Sequence, residues 1–219
     1  MKIISNALLA SLLLAGTGAA QAAIVQFNLN TEFSGGQAPA GVAPWVTAKF
    51  DDQGTSGSVL LTISTSGLSG AENIRDIYFN VDPAFNPATL GFTYVSGVTS
   101  TAIDRQTNGF QADGDGRYDI RLTYPSGKGF DAGMSSVYRI TGTSSLTANS
   151  FFFLSAPAGG HGPFYAAAHI QDTTGAGSGG SGWIAPATVP LPAGLALFLS
   201  GLGVLAPQWR RRRGGSATA

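Results

Sequence analysis

The sequence predicts an all-β body, an antiparallel sandwich or jelly roll, and three observations predict it. Between Ala23 and Thr188 no long stretch repeats its apolar residues at helical spacing. Several short segments instead alternate apolar with polar residues, as half-buried strands do. The connectors carry turn chemistry at close intervals, with no helical segment between them, which favours antiparallel neighbours.

The segments follow in order. Val25, Phe27 and Leu29 alternate with Gln26 and Asn28, and Val46, Ala48 and Phe50 with Thr47 and Lys49. Val59, Leu61 and Ile63 share one face, as do Ile77, Phe79 and Val81. The cleanest case is Tyr118, Ile120, Leu122 and Tyr124, set against Arg117, Asp119, Arg121 and Thr123. Tyr138 and Ile140 flank Arg139. Phe151 to Leu154 is continuously apolar and predicts a strand buried on both faces. Phe164 to Ile170 predicts a last strand. Ser34-Gly35-Gly36, Gln53-Gly54, Ser66-Gly67, Asp82-Pro83, Asp113-Gly114 and Pro125-Ser126-Gly127 supply the turns. The Gly-rich run from Gly175 onward reads as a flexible linker, with Trp183-Ile184 as the last packed residues.

The two ends read as addresses. Lys2 precedes an apolar stretch from Ile3 to Ala15, and Ala20-Gln21-Ala22 offers small residues for cleavage before Ala23. This is the layout of a secretory signal peptide, removed by signal peptidase. At the other end, Val189-Pro190-Leu191-Pro192 precedes an apolar run from Ala193 to Ala206, then Trp209 and Arg210, Arg211, Arg212 and Arg213. Leu191 to Trp209 comes close to the ~20 residues that a bilayer-spanning helix needs. The arginines stay cytoplasmic by the positive-inside rule, so the body lies on the far side. The predicted organisation is a signal peptide over 1–22, a β-sandwich body over 23–174, a Gly/Ser/Pro linker over 175–188, a transmembrane segment with its basic anchor over 189–213 and a tail over 214–219.

That C-terminal segment resembles the PEP-CTERM sorting signal. The resemblance rests on Val189-Pro190-Leu191-Pro192-Ala193-Gly194-Leu195, the apolar helix and the arginine cluster, with Leu191 where the name-giving motif has Glu. It implies a Gram-negative surface protein whose tail is read and removed by an exosortase, after a transient stay in the inner membrane. The body is also similar to PEP-CTERM precursor bodies in Phe50-Asp51-Asp52, in the stretch from Gly67 to Pro83, in Gly114 to Ile120 and in Pro157 to His169. That similarity implies shared architecture and export, and brings no catalytic assignment.

Composition narrows the function classes. Charged residues make up only 11% of the chain and Cys is absent. An exported body without disulfides must rest on packing, hydrogen bonds or bound ions. Seven basic residues lie between the terminal segments, against all twelve acids, which leaves the body at −5. That balance argues against nucleic-acid binding, which needs a basic surface.

Few residues carry recognisable chemistry. Asp113, Asp115 and Asp119 alternate around Gly114 and Gly116 and are candidate Ca²⁺ ligands, with Asp51 or Asp52 as distant donors. The competing reading is a tight turn that uses Asp and Gly for its backbone needs. Arg117 and Tyr124 favour the turn, because they stand where a Ca²⁺ loop places oxygen donors. His161 and His169 are the only histidines, and without Cys they are too few for a zinc site. Neither G-x-S-x-G nor H-E-x-x-H occurs. Glu32 and Glu72 are the only glutamates, and no marked carboxylate pair suggests glycoside hydrolysis. Trp45, Tyr78, Tyr94, Tyr138, Phe164, Tyr165 and Trp183 are candidates for stacking on sugar or for packing in the core. The expectation is a non-enzymatic secreted or cell-surface protein associated with exopolysaccharide or biofilm matrix, with no cofactor other than the candidate Ca²⁺. A carbohydrate-binding module, Ca²⁺-assisted, is the second reading, and a secreted hydrolase the third.

Overall fold

The computed structural model describes residues 21–126, 129–173 and 180–187. Ten strands follow one another: β1 Ile24–Glu32, β2 Val46–Asp51, β3 Ser58–Ser64, β4 Asn73–Phe79, β5 Gly91–Gly97, β6 Ala102–Ala112, β7 Asp115–Thr123, β8 Ser135–Thr141, β9 Ala166–Gln171 and β10 Ser181–Pro186. Two short 3₁₀ turns, Pro87–Thr89 and Ala148–Phe151, are the remaining regular elements among the described residues. Ala20, the sorting residues Val189, Pro190, Leu191 and Pro192, and Arg210 to Arg213 lie outside the described residues. Among the described residues no helix is long and apolar enough to cross a membrane.

The strands hydrogen-bond in one ladder, in the order β5-β8-β3-β2-β1-β10-β9-β4-β7-β6, and the pairings are antiparallel throughout. The all-β, antiparallel expectation holds. The ladder runs unbroken through all ten strands, so the body is one curled sheet, a half-barrel, rather than two separately hydrogen-bonded sheets.

Curling follows from burial. The alternating residues read from the sequence line one concave face: Val25, Phe27 and Leu29 on β1, Phe50 on β2, Leu61 on β3, Ile77 and Phe79 on β4, Ile120 and Leu122 on β7. A flat sheet would leave that face wet. Rolling it removes each large side chain from water, at about 1.5–3 kcal/mol apiece. Phe50 marks the centre, for its ring meets Phe79 on β4 edge-on at 5.2 Å although three strands separate β2 from β4 in the sheet. The two sheet edges come within side-chain reach. The Arg105 guanidinium on β6 donates to the Leu90 carbonyl at the entry to β5. The buried Tyr124 hydroxyl donates to Ser136 Oγ on β8 at 2.9 Å, and Ser136 Oγ donates to the Val98 carbonyl at 2.7 Å. Burial pushes the Tyr124 phenol well above its ordinary pKa, so it stays a donor.

A second apolar cluster lies on the other face of β4, β7, β9 and β10, built from Tyr78, Tyr118, Ala167 and Ala185 with Phe33 and Phe164 from loops. A loop from Ser155 to Phe164 helps to cover it. Its base is closed by Ser155 N donating to the Phe164 carbonyl at 2.9 Å and Phe164 N donating to Ser155 Oγ at 3.1 Å. Its outgoing arm runs against β7, where Arg117 N donates to the Ala156 carbonyl at 2.8 Å and Ala156 N returns the bond at 3.1 Å.

Three expectations need correction. Phe151 to Leu154 is no strand: Phe151 ends a 3₁₀ turn and is buried, while Phe152 and Leu154 are exposed. The Thr147 and Ser150 side chains form a capping box there, which favours a turn over an extended run. The predicted linker over 175–188 contains β10, which pairs with β1 and β9 in the middle of the sheet. Its glycine serves close packing, since a Cβ on Gly182 would collide with the Gln37 carbonyl. The body therefore extends to Pro186, beyond its expected end at 174. Finally, β5 and β6 were not expected. They are the two outermost strands of the sheet, exposed along much of their length, so they show no alternation.

Candidate binding cleft

The described surface carries an open cleft of about 780 Å³ between the exposed row of β1 and the end of the Ser155–Phe164 loop. Its floor is aromatic. Phe27 points inward from β1 and is 3% exposed, Tyr165 enters just before β9, and Phe152 follows the 3₁₀ turn with 53% of its surface open to water. The three rings are nearly parallel. Tyr165 and Phe152 stack at 4.5 Å with 6° between planes, and Phe27 lies 5.7 Å from Tyr165 at 12°. The buried member fixes the other two, so the outermost ring is presented on a rigid base.

The rim is amide. Gln26, Asn28 and Asn30 project from the outward row of β1. Gln26 Nε2 donates to Asn28 Oδ1 at 2.9 Å, while Asn30 Oδ1 accepts from Ala187 N at 2.9 Å. That sharing leaves the Gln26 carbonyl and the Asn28 amino group facing outward. No Asp, Glu, Lys or Arg lines the cleft among the described residues.

The remaining wall, Gly162 to Tyr165, is held by Asp115. Asp115 Oδ1 accepts from Gly160 N at 2.6 Å and from His161 N at 3.0 Å, and Oδ2 lies 2.9 Å from His161 Nδ1. Burial alone would raise the Asp115 carboxyl. The amide and imidazole of His161 and the amide of Gly160 outweigh it and hold its pKa below the usual value. An Asp–His pair can also orient a catalytic base, but a triad needs a hydroxyl on the second imidazole nitrogen. Among the described residues no hydroxyl bonds His161, whose side chain is 57% exposed.

The structure does not gather Asp113, Asp115 and Asp119 around one ion. Asp113 and Gly114 have φ of +54° and +83° and join β6 to β7, a two-residue hairpin turn that matches the turn reading. Asp115 faces the Ser155–Phe164 loop. Asp119 accepts from Val81 N at 3.1 Å and Asn108 N at 2.8 Å beside a separate cavity of about 160 Å³. Among the described residues no group of three or more His, Asp or Glu side chains could hold a metal. Asp51 lies 3.4 Å from Lys49 Nζ, and Asp52 is turned to backbone amides.

The other candidates separate cleanly. His169 stacks on its cross-strand neighbour Trp183 at 4.6 Å, and burial lowers its pKa. Trp183 lies 5.6 Å from Tyr78 in the second cluster, and burial raises the Tyr78 phenol to about 12. Tyr138 and Phe164 are buried, and Trp45 donates its ring N–H to the Gly41 carbonyl at 3.0 Å. Tyr94 is exposed on the edge strand β5. Of the aromatic residues considered from sequence, Tyr165 and Phe164 reach the cleft. Phe152 was hidden inside a run read as strand, and the amide row looked like an ordinary outward strand face.

No family model, curated protein or solved structure matches this chain.

Proposed function

We propose that this chain is an exported, non-enzymatic surface protein whose body binds a neutral extracellular polysaccharide in the cleft. In this reading the body follows the jelly-roll plan, and its two layers are the facing halves of one curled sheet. It is flanked by the signal peptide over 1–22 and the exosortase-read transmembrane segment over 189–213.

The observation that carries the binding role is Phe152, half exposed and stacked on Tyr165 beside outward amides. A pyranose has one face of C–H groups and a rim of hydroxyls. The first lies on an aromatic ring and the second meets amide donors and acceptors. An uncharged wall offers nothing to pair with a carboxylated or sulfated chain, so the ligand is neutral. In affinity electrophoresis, the exported protein is retarded by a neutral polysaccharide from the producing cells. Phe152→Ala should weaken binding by about 1–2 kcal/mol, roughly five- to thirtyfold. Its melting temperature should fall by only a few degrees, because the ring is half exposed and the stack it loses is worth about 0.5–1.5 kcal/mol. Equal retardation of wild type and variant would sink this role.

The sorting role rests on the sequence at the two ends and has its own readout. The intact mass of the protein in its host should correspond to a chain that begins at Ala23 and lacks Leu195 to Arg213, recovered outside the inner membrane. A full tail held in the inner membrane would make this an anchored domain instead.

A further inference from the structure

The main-chain nitrogen of Ala23 has an unusual partner. It donates to Asp52 Oδ1 at 2.8 Å, and Asp52 N donates back to the Ala23 carbonyl at 3.2 Å. Asp52 is only 5% exposed. Its other donors are Gly54 N at 3.0 Å on Oδ1 and Ala148 N at 3.3 Å on Oδ2. All are neutral backbone amides, and no Lys, Arg or His pairs with this carboxylate among the described residues. A covered carboxylate without a countercharge is costly, and structures usually pair it. The exposure pattern changes at the same place. Gln21 and Ala22 are exposed, whereas Ala23 is half-buried and packs against the main core.

We propose that Asp52 is a receptor site for the α-ammonium of Ala23, the group created when the segment ending at Ala22 is removed. The proposal rests on cleavage after Ala22. Hydrolysis by signal peptidase adds the hydroxyl of water to the Ala22 carbonyl carbon and its hydrogen to the Ala23 nitrogen. The acid then loses a proton and the amine gains one. The nitrogen keeps its place at Asp52 and changes from a neutral donor to a cation. Processing thereby supplies the countercharge that the carboxylate lacks, and completes the fold where β1 begins.

The surroundings leave this pairing to Asp52. On β2 the neighbouring ionisable groups are Asp51, opposite Ile24 in register, and Lys49, 3.4 Å from Asp51. The loop over 53–57 and the 3₁₀ turn Ala148–Phe151 contribute none. On β8, two strands away from β2, Arg139 donates to Ser58 Oγ at 3.0 Å. Burial alone would raise the Asp52 carboxyl. The amides of Ala23, Gly54 and Ala148 outweigh it and hold it ionised at neutral pH. An α-amine beside such a carboxylate has its pKa raised above the ordinary ~7.7–8.0. A raised value means stabilisation that is whole below pH ~8 and fades as pH rises through the folded value.

The test uses the full chain, exported and processed in its host. The Ala23 α-amine of the native protein is acylated at pH 7, and its peptide is quantified by mass spectrometry against the denatured protein. A pKa raised by one unit slows acylation about tenfold, because only the free amine reacts. Expected is a slowing of at least about tenfold, abolished in Asp52→Asn, together with a melting temperature that falls above pH ~8 in the wild type alone. The wild-type comparison stands even if the variant fails to fold. A chain that begins at Ala23 with an amine as reactive as in the denatured state overturns the receptor while leaving the cleavage reading intact. A mature chain that begins elsewhere overturns both.

Discussion

Phe50→Ala should lower the unfolding free energy by about 3–5 kcal/mol, the largest stability effect expected of any single truncation here. The Phe50 ring is fully buried and meets three others. Phe151 stacks on it at 4.3 Å, Phe79 meets it edge-on at 5.2 Å and Phe27 approaches at 6.0 Å. Those rings come from β4 in one half of the curl, β1 in the other, and the 3₁₀ turn that closes one end. Truncation therefore removes transfer energy and opens a cavity that rigid neighbours on three sides cannot fill. Urea unfolding of the processed protein would measure it. Val42→Ala, at a residue 82% exposed, serves as control and should stay within about 0.5 kcal/mol of wild type. A loss below about 1 kcal/mol for Phe50→Ala would mean that the two halves of the sheet do not press together at this ring.

If the cleft binds polysaccharide as proposed, Asp115→Ala should abolish that binding while leaving most of the fold. One carboxylate collects two amides and an imidazole from the Ser155–Phe164 loop. Removing it costs about 1–3 kcal/mol and releases the wall of the cleft. Limited proteolysis between Pro157 and Pro163 should then become rapid. Asp115→Asn is the informative partner. Its carbonyl still accepts both amides, and its amino group can donate to a neutral His161, so cleft and loop survive. Gly159→Ala should resemble Asp115→Ala, since its φ is +69° and an added Cβ would overlap Asp115 Oδ1. Acid offers the same test without mutation. The folded pKa of Asp115 lies below its ordinary value, so its contribution is present at pH 5 and is lost as pH falls below ~4. Unchanged binding by Asp115→Ala would show that the wall stands by other contacts.

How much of this was legible follows from what each strand faces. Where a strand has one dry face and one wetter face, its residues alternate, and Val25-Phe27-Leu29 or Val59-Leu61-Ile63 disclosed themselves. β6 has few buried side chains and β10 is covered on both faces, Ile184 by the main core and Ala185 by the second cluster, so neither leaves that imprint. The Asp113-Gly114 turn was readable because positive φ restricts residue choice locally. The cleft was not. Phe27 and Tyr165 lie far apart in sequence, and the partnership of Asp115 with a loop some 45 residues away is a product of the fold. Ala23 was singled out as a cleavage product, yet nothing in the sequence tied it to Asp52.

The strand order carries a consequence for timing. β1 and β10, the first and last strands among the described residues, lie side by side at the centre of the ladder, with Leu29 opposite Pro186 and Glu32 opposite Ile184. A chain that emerges from its amino end can form β1, β2, β3 and β8 early, and separately β4, β7 and β9. The two groups share no ladder until residues 181–186 appear and bridge them. Pairing over so long a separation in sequence is slow, and the ladder is continuous only once it is made. The body is therefore a latch whose bolt is its final strand. The bolt slides home when residues 181–186 lie between β1 and β9, and until then each half of the ladder has an open inner edge.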